Sequence, residues 1–148
     1  MAVKKRLAAL LLATAALAGS GIATAGTASA SAYGCTGYGA GISWHGINAK
    51  NGTWCGGTVG SGTYISYIRG SFRAHLLLNS VCNFSMKADF YDVIGNLYGW
   101  QTTSVQHRCS YAANLPNIGI NQNVRKGKVR ISLVSNDSTV AAVEESIR

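Results

Sequence analysis

From residue 81 to residue 90 the chain alternates between apolar and polar positions. Cys82, Phe84, Met86, Ala88 and Phe90 fall on one face at period two, and Asn83, Ser85, Lys87 and Asp89 fall on the other. That is the pattern of a strand with one buried face and one wet one. Asp92-Val93-Ile94-Gly95-Asn96 then reads as a hairpin loop, with Gly95 or Asn96 supplying the positive φ such loops need, and residues 97–103 return as the partner strand. A second hairpin spans residues 128–147: Val129, Ile131 and Leu133 alternate with Lys128, Arg130 and Ser132, and residues 135–138 make the turn. Its return limb has two readings, because Val140 and Val143 are three apart: a strand is expected, and a helix over 139–148 is the rival. Shorter strands are expected at 42–45, 53–55 and 63–72, with turns at Gly46, across 48–52 and across 59–62. No window sustains an apolar i, i+3, i+4 face, and the chain has one proline, Pro116, against 18 glycines. The pattern predicts an all-β fold: a single antiparallel β-sandwich of about seven strands, Ig-like in size.

One apolar run does not alternate. After Lys4, Lys5 and Arg6, residues 7–18 carry no charge, and a small-residue tract ends in Ala28-Ser29-Ala30-Ser31-Ala32. Basic, apolar and A-x-A segments in that order form a secretory signal peptide over 1–32, cleaved near Ala32. Two overlapping A-x-A frames start the mature chain at Ser31 or Tyr33, with Tyr33 preferred. The apolar run falls short of the roughly 20 residues a bilayer span needs, so no transmembrane segment is expected in the mature protein. Residues 33–148 then form one secreted, extracellular domain with a Gly/Tyr-rich N-terminal tail over 33–41.

Export changes how the cysteines read. Cys35, Cys55, Cys82 and Cys109 all follow the leader, and an even count in an oxidising compartment implies two disulfides. Three connectivities are open, and pairing of chain neighbours, Cys35–Cys55 and Cys82–Cys109, is the expected one because each loop closes within a hairpin-like unit. Three of the thirteen basic residues belong to the leader, so the net charge falls from +8 to +5 on processing. That surplus suits a partner or wall polymer of opposite sign.

Catalytic chemistry finds little to stand on. G-x-S-x-G and H-E-x-x-H are absent, and the five acids are Asp89, Asp92, Asp137, Glu144 and Glu145, the last two adjacent and two others in expected turns. His45, His75 and His107 lack metal-ligand spacing, so no metal, cofactor or catalytic residue is assigned. The sequons at Asn51, Asn83 and Asn136 are discounted in an Asn- and Ser-rich chain. Two binding sets remain. Tyr33, Tyr38 and Trp44 cluster near the N-terminus, with Arg69 and Arg73 a second group, and they fit a protein partner. Arg125, Lys126, Lys128 and Arg130 form the densest positive charge and fit an anionic cell-wall polymer or a freestanding cationic antimicrobial protein. Nucleic acid is not expected, since no aromatic-rich binding motif accompanies the charge. Trp54 and Trp100 read as core.

The Ala/Thr-rich leader and the blocks Tyr67-Ile68-Arg69-Gly70-Ser71-Phe72, Val81-Cys82-Asn83-Phe84 and Tyr91-Asp92-Val93-Ile94-Gly95-Asn96 resemble small secreted actinobacterial proteins. This group is similar to the adaptor subunits of umbrella-shaped antibacterial toxin particles of filamentous actinobacteria. The resemblance implies a non-catalytic β-domain that joins a lectin-like subunit to a toxin stalk through its N-terminal tail. Many members of the group carry further cysteines at the positions of Arg130 and Glu144, which implies a salt bridge between those two residues here.

Overall fold

A computed structural model of the chain describes residues 31–39, 42–44, 47–49, 51–75 and 80–148. The expected signal peptide lies outside the described residues, apart from Ser31 and Ala32. The described chain is all strand and turn: β1 (Ala32–Tyr38), β2 (Ile42–Trp44), β3 (Ile47–Ala49), β4 (Gly52–Ser61), β5 (Tyr64–Ala74), β6 (Val81–Asp92), β7 (Leu97–Thr102), β8 (Gln106–Ser110), β9 (Ala112–Asn114), β10 (Ile118–Asn123), β11 (Gly127–Ser135) and β12 (Ser138–Ile147). Two antiparallel sheets stack as a sandwich. Sheet I runs β1-β4-β5, with β9 and β10 sharing the far edge of β5, and sheet II runs β12-β11-β6, with β7 and β8 sharing the far edge of β6. β2 and β3 form a separate two-stranded ribbon.

The strand count exceeds seven because one long stretch, 97–123, is broken into four short strands that the alternation pattern does not mark. It follows β6, is interrupted at 103–105, crosses between the sheets at Tyr111 and follows β5. Pro116 falls in the break between β9 and β10, where its missing N–H removes a ladder bond. At the other seam β1 and β12 lie against each other: a Cβ on Gly34 would meet the Glu145 carboxylate and Val143.

Phe84, Met86, Ala88 and Phe90 are buried, as their alternation requires. The pattern breaks at Asn83. Its φ of 46° and the register shift between Cys82 and Phe84 mark a bulge. Val81 therefore takes the core position, and Cys82 turns to the outer face. At the far hairpin, Asn136 and Asp137 have φ of 47° and 61°, the type I′ geometry that matches strand twist. The return limb is the strand β12, not a helix. Pairing jumps from Leu133↔Ala141 to Val134↔Thr139, which leaves Val140 as the extra, exposed residue and sends Ala141, Val143 and Ile147 inward. Asn83 and Asn136 also clip β6 to this hairpin, Asn83 Nδ2 donating to Asn136 Oδ1 at 2.8 Å.

The sheets meet through Trp54 of β4, which is fully buried and donates its indole N–H to the Ile131 carbonyl of β11 at 3.1 Å. Gly56 and Gly70 face each other in register beside it. A Cβ on Gly70 would strike the Trp54 ring and Met86 Sδ, so the missing side chain is the space the indole occupies. Tyr38, Phe72 and Phe84 continue the core as edge-to-face pairs with centroids 6.5 and 4.9 Å apart. Trp100 is not core: it is 61% exposed on β7, where the edge column has lost its inward face.

Both disulfides join chain neighbours. Cys35 and Cys55 are direct register partners with Cα atoms 4.1 Å apart, and Cys82 and Cys109 are partners at 3.9 Å. Each lies away from the core and ties an edge strand, β1 or β8, to a strand that carries it.

Candidate functional site

Strand parity and register bring one group of expected binding residues together on the outer face of sheet I. Tyr33 of β1 pairs with Gly57 of β4, which pairs with Arg69 of β5. One row along, Cys35, Cys55, Ser71 and Asn114 align, and the next row holds Gly37, Thr53, Arg73 and Ala112. Gly57 makes the first row possible, because a Cβ there would collide with the Ala32 carbonyl and the Tyr33 ring. Across that gap the Arg69 guanidinium stacks 4.7 Å from the Tyr33 ring centroid, and the Tyr33 and Ser71 hydroxyls are 3.2 Å apart. Beside it a shallow hollow of about 540 Å³ is lined by Thr53, Ser71, Arg73, His75 and Asn114, with Thr53 Oγ1 and His75 Nε2 2.8 Å apart.

The charge of this face has one sign. The strands of sheet I contain Arg69 and Arg73 and no acid, whereas all five carboxylates belong to sheet II or its turns. The Arg73 guanidinium on the hollow is a donor only, and the hydroxyls of Thr53 and Ser71 beside it are able to donate as well, which suits carboxylate or other anionic groups.

The structure relocates the other expected residues. Of the expected tail over 33–41, residues 33–38 are not free, since Ala32–Tyr38 is β1, in register with β4 and bonded to it through Cys35, and residues 40 and 41 lie outside the described residues. Tyr38 is 6% exposed with its ring over Gly52, and burial raises its phenol above the ordinary pKa. It is a core residue and leaves the binding set. Trp44 ends β2, and its side chain lies outside the described residues.

The second basic set divides. Arg125 and Lys126 sit in the β10–β11 connection, while Lys128 and Arg130 belong to β11. Arg130 stands in register between Asp89 and Glu144. The ion pair on this hairpin is Lys128–Glu144 at 3.0 Å, not the expected Arg130–Glu144. Asp89 is held by Lys87 at 2.8 Å. Among the described residues no group of three His, Cys, Asp or Glu could hold a metal, and no helix is long and apolar enough to cross a membrane.

Sequence reading missed Thr53, Ser71, His75 and Asn114, whose gathering around one hollow depends on pairing between distant strands. It also passed over Val93 and Ile94, two aliphatic residues inside a turn motif, a signal that was available. Compared with family models, curated proteins and solved structures, the chain matches none of them.

Proposed function

We propose that this protein is a secreted, non-enzymatic binding module that engages another extracellular macromolecule, a protein presenting acidic groups, through the outer face of sheet I. The observation that carries the reading is the alignment of Tyr33, Arg69 and Arg73 on an exposed face without a carboxylate. Tyrosine and arginine dominate interface energetics, and arginines with no acid beside them are free to pair across an interface. Two disulfides suit an oxidising compartment. An adaptor role within a secreted toxin assembly, the expectation attached to the sequence resemblance, would use this face for one of its partners. Docking by a free tail is withdrawn, because β1 is committed to its own sheet. The rival wall-binding reading loses support where Lys128 pairs with Glu144 and Arg130 lies between acids.

The test is recovery of the tagged protein from culture medium, sizing, and identification of bound chains by mass spectrometry. The wild type is expected in a stoichiometric complex. Arg69→Ala with Arg73→Ala should weaken it at least about tenfold while leaving the fold intact. A lone wild-type monomer overturns the reading, as does a complex indifferent to both substitutions.

A further inference from the structure

The β6–β7 hairpin ends in Val93 and Ile94, 75% and 79% exposed, with Leu97 at 52% behind them. The tip is firmly built. Asp92 Oδ1 accepts from the backbone N–H of Ile94 at 3.1 Å and of Asn96 at 2.8 Å. The Gly95 N–H donates to the Asp92 carbonyl at 3.1 Å, and the Asp92 N–H to the Asn96 carbonyl at 3.0 Å. These bonds turn the one carboxylate of the loop back onto its own backbone, and they hold two aliphatic side chains out in solvent.

Cations surround the base of the tip. Gly127 is the register partner of Asp92, so the preceding Arg125 and Lys126 lie alongside. The Arg125 N–H donates to the Tyr98 hydroxyl at 3.1 Å, and its guanidinium sits 5.1 Å from the Tyr98 ring. Arg148 lines the hollow that the tip shares with residues 127 and 128. Among the described residues none of Arg125, Lys126 and Arg148 is in an ion pair, while Lys128 is held by Glu144.

We propose that this end of the molecule docks on an anionic phospholipid bilayer, Val93 and Ile94 entering the headgroup–acyl boundary and Arg125, Lys126 and Arg148 meeting lipid phosphates. A bilayer offers both chemistries in that order of depth. A stable protein interface needs on the order of 800 Å² per partner, more than a narrow convex tip presents, whereas a fluid membrane closes around a wedge. The contact is independent of the outer face of sheet I.

Co-sedimentation of the purified protein with vesicles of phosphatidylcholine alone, or of phosphatidylcholine with one-third phosphatidylglycerol, tests it. Binding is expected to the anionic vesicles alone and should fall as salt shortens the Debye length from about 10 Å. Val93→Ser with Ile94→Ser should weaken it by about 100-fold, and Arg125→Gln with Lys126→Gln by about 30-fold. Thermal melts equal to wild type show that these exposed positions left the fold unchanged. No binding to the anionic vesicles overturns the proposal. So does binding unchanged by the serine pair, which is adsorption by charge alone, or capture of a secreted protein by the tip in place of vesicles.

Discussion

Sheet I and sheet II share a plan: each clips one edge strand to a core strand with an outer-face disulfide, and each lends its far edge to the stretch 97–123. Their inner faces are complementary. Sheet I supplies Trp54 and the gap at Gly56 and Gly70, and sheet II supplies Met86, Ile131 and Val143 around it. Their outer faces differ in charge. On sheet II, Lys87 meets Asp89, Lys128 meets Glu144, and Arg130 stands between two acids, so the face satisfies its own electrostatics. On sheet I, Arg69 has a tyrosine ring and Arg73 lines a hollow of hydroxyls, an imidazole and an amide. A charge balanced within its own sheet makes no demand on a partner; one without a counter-charge stays available for one. Two layers of one architecture thereby differ in how far each outer face balances its own charge.

The largest effect should come from the asymmetry of the core. Trp54→Ala should cost about 3–5 kcal/mol in denaturant unfolding, and Gly70→Val about 3 kcal/mol by forcing the indole from its space. Ile131→Val on the opposite sheet should cost only about 0.5–1.5 kcal/mol. A mild Trp54→Ala variant would mean that the sheets do not depend on this insertion.

Next come the clips, which should be equivalent. Replacing either cysteine pair by serine should cost about 2–4 kcal/mol. Sequence separations of 20 and 27 residues make the loop-entropy terms differ by only about 0.3 kcal/mol. A much larger loss at Cys35–Cys55, read from parallel melts, would show that β1 depends on its bridge more than β8 does.

Smaller again is the contrast between the outer faces. Arg69→Ala with Arg73→Ala should change stability by no more than about 1 kcal/mol, since it removes the stack of Arg69 on Tyr33 and strands no acid. Lys128→Ala should lose up to about 1 kcal/mol with its ion pair. A loss well above 1 kcal/mol in the arginine variant would make sheet I's cations structural and remove the basis for the binding face.

The smallest effect concerns Glu145, whose carboxyl burial raises above its ordinary pKa. The folded chain then holds this proton more tightly than the unfolded one. Stability from this group is therefore full below the unfolded value and declines as pH rises through the raised folded value. Melting wild type and Glu145→Gln from about pH 4 upward should show that decline in the wild type alone. Parallel profiles would show that solvent reaches the carboxylate in the seam between β1 and β12.

Local chemistry settled much of the fold. Alternation over residues 84–90 and 129–133 placed the two central strands of sheet II, since a period of two leaves one consistent inner face. Asn136 and Asp137 made their turn for the same local reason, a tolerance of positive φ. Short loops also led to the neighbour pairing of the cysteines. Tertiary structure decided what depends on distant strands. Whether β1 was a tail or an edge strand rested on its register with β4, and that register buried Tyr38 while leaving Tyr33 exposed. The bulge at Asn83 moved Cys82 outward, and an edge position left Trp100 in solvent. The gathering of Tyr33, Arg69 and Arg73 came from pairing across three strands, because a one-dimensional pattern gives each strand its inner face but not the neighbours its outer face will meet.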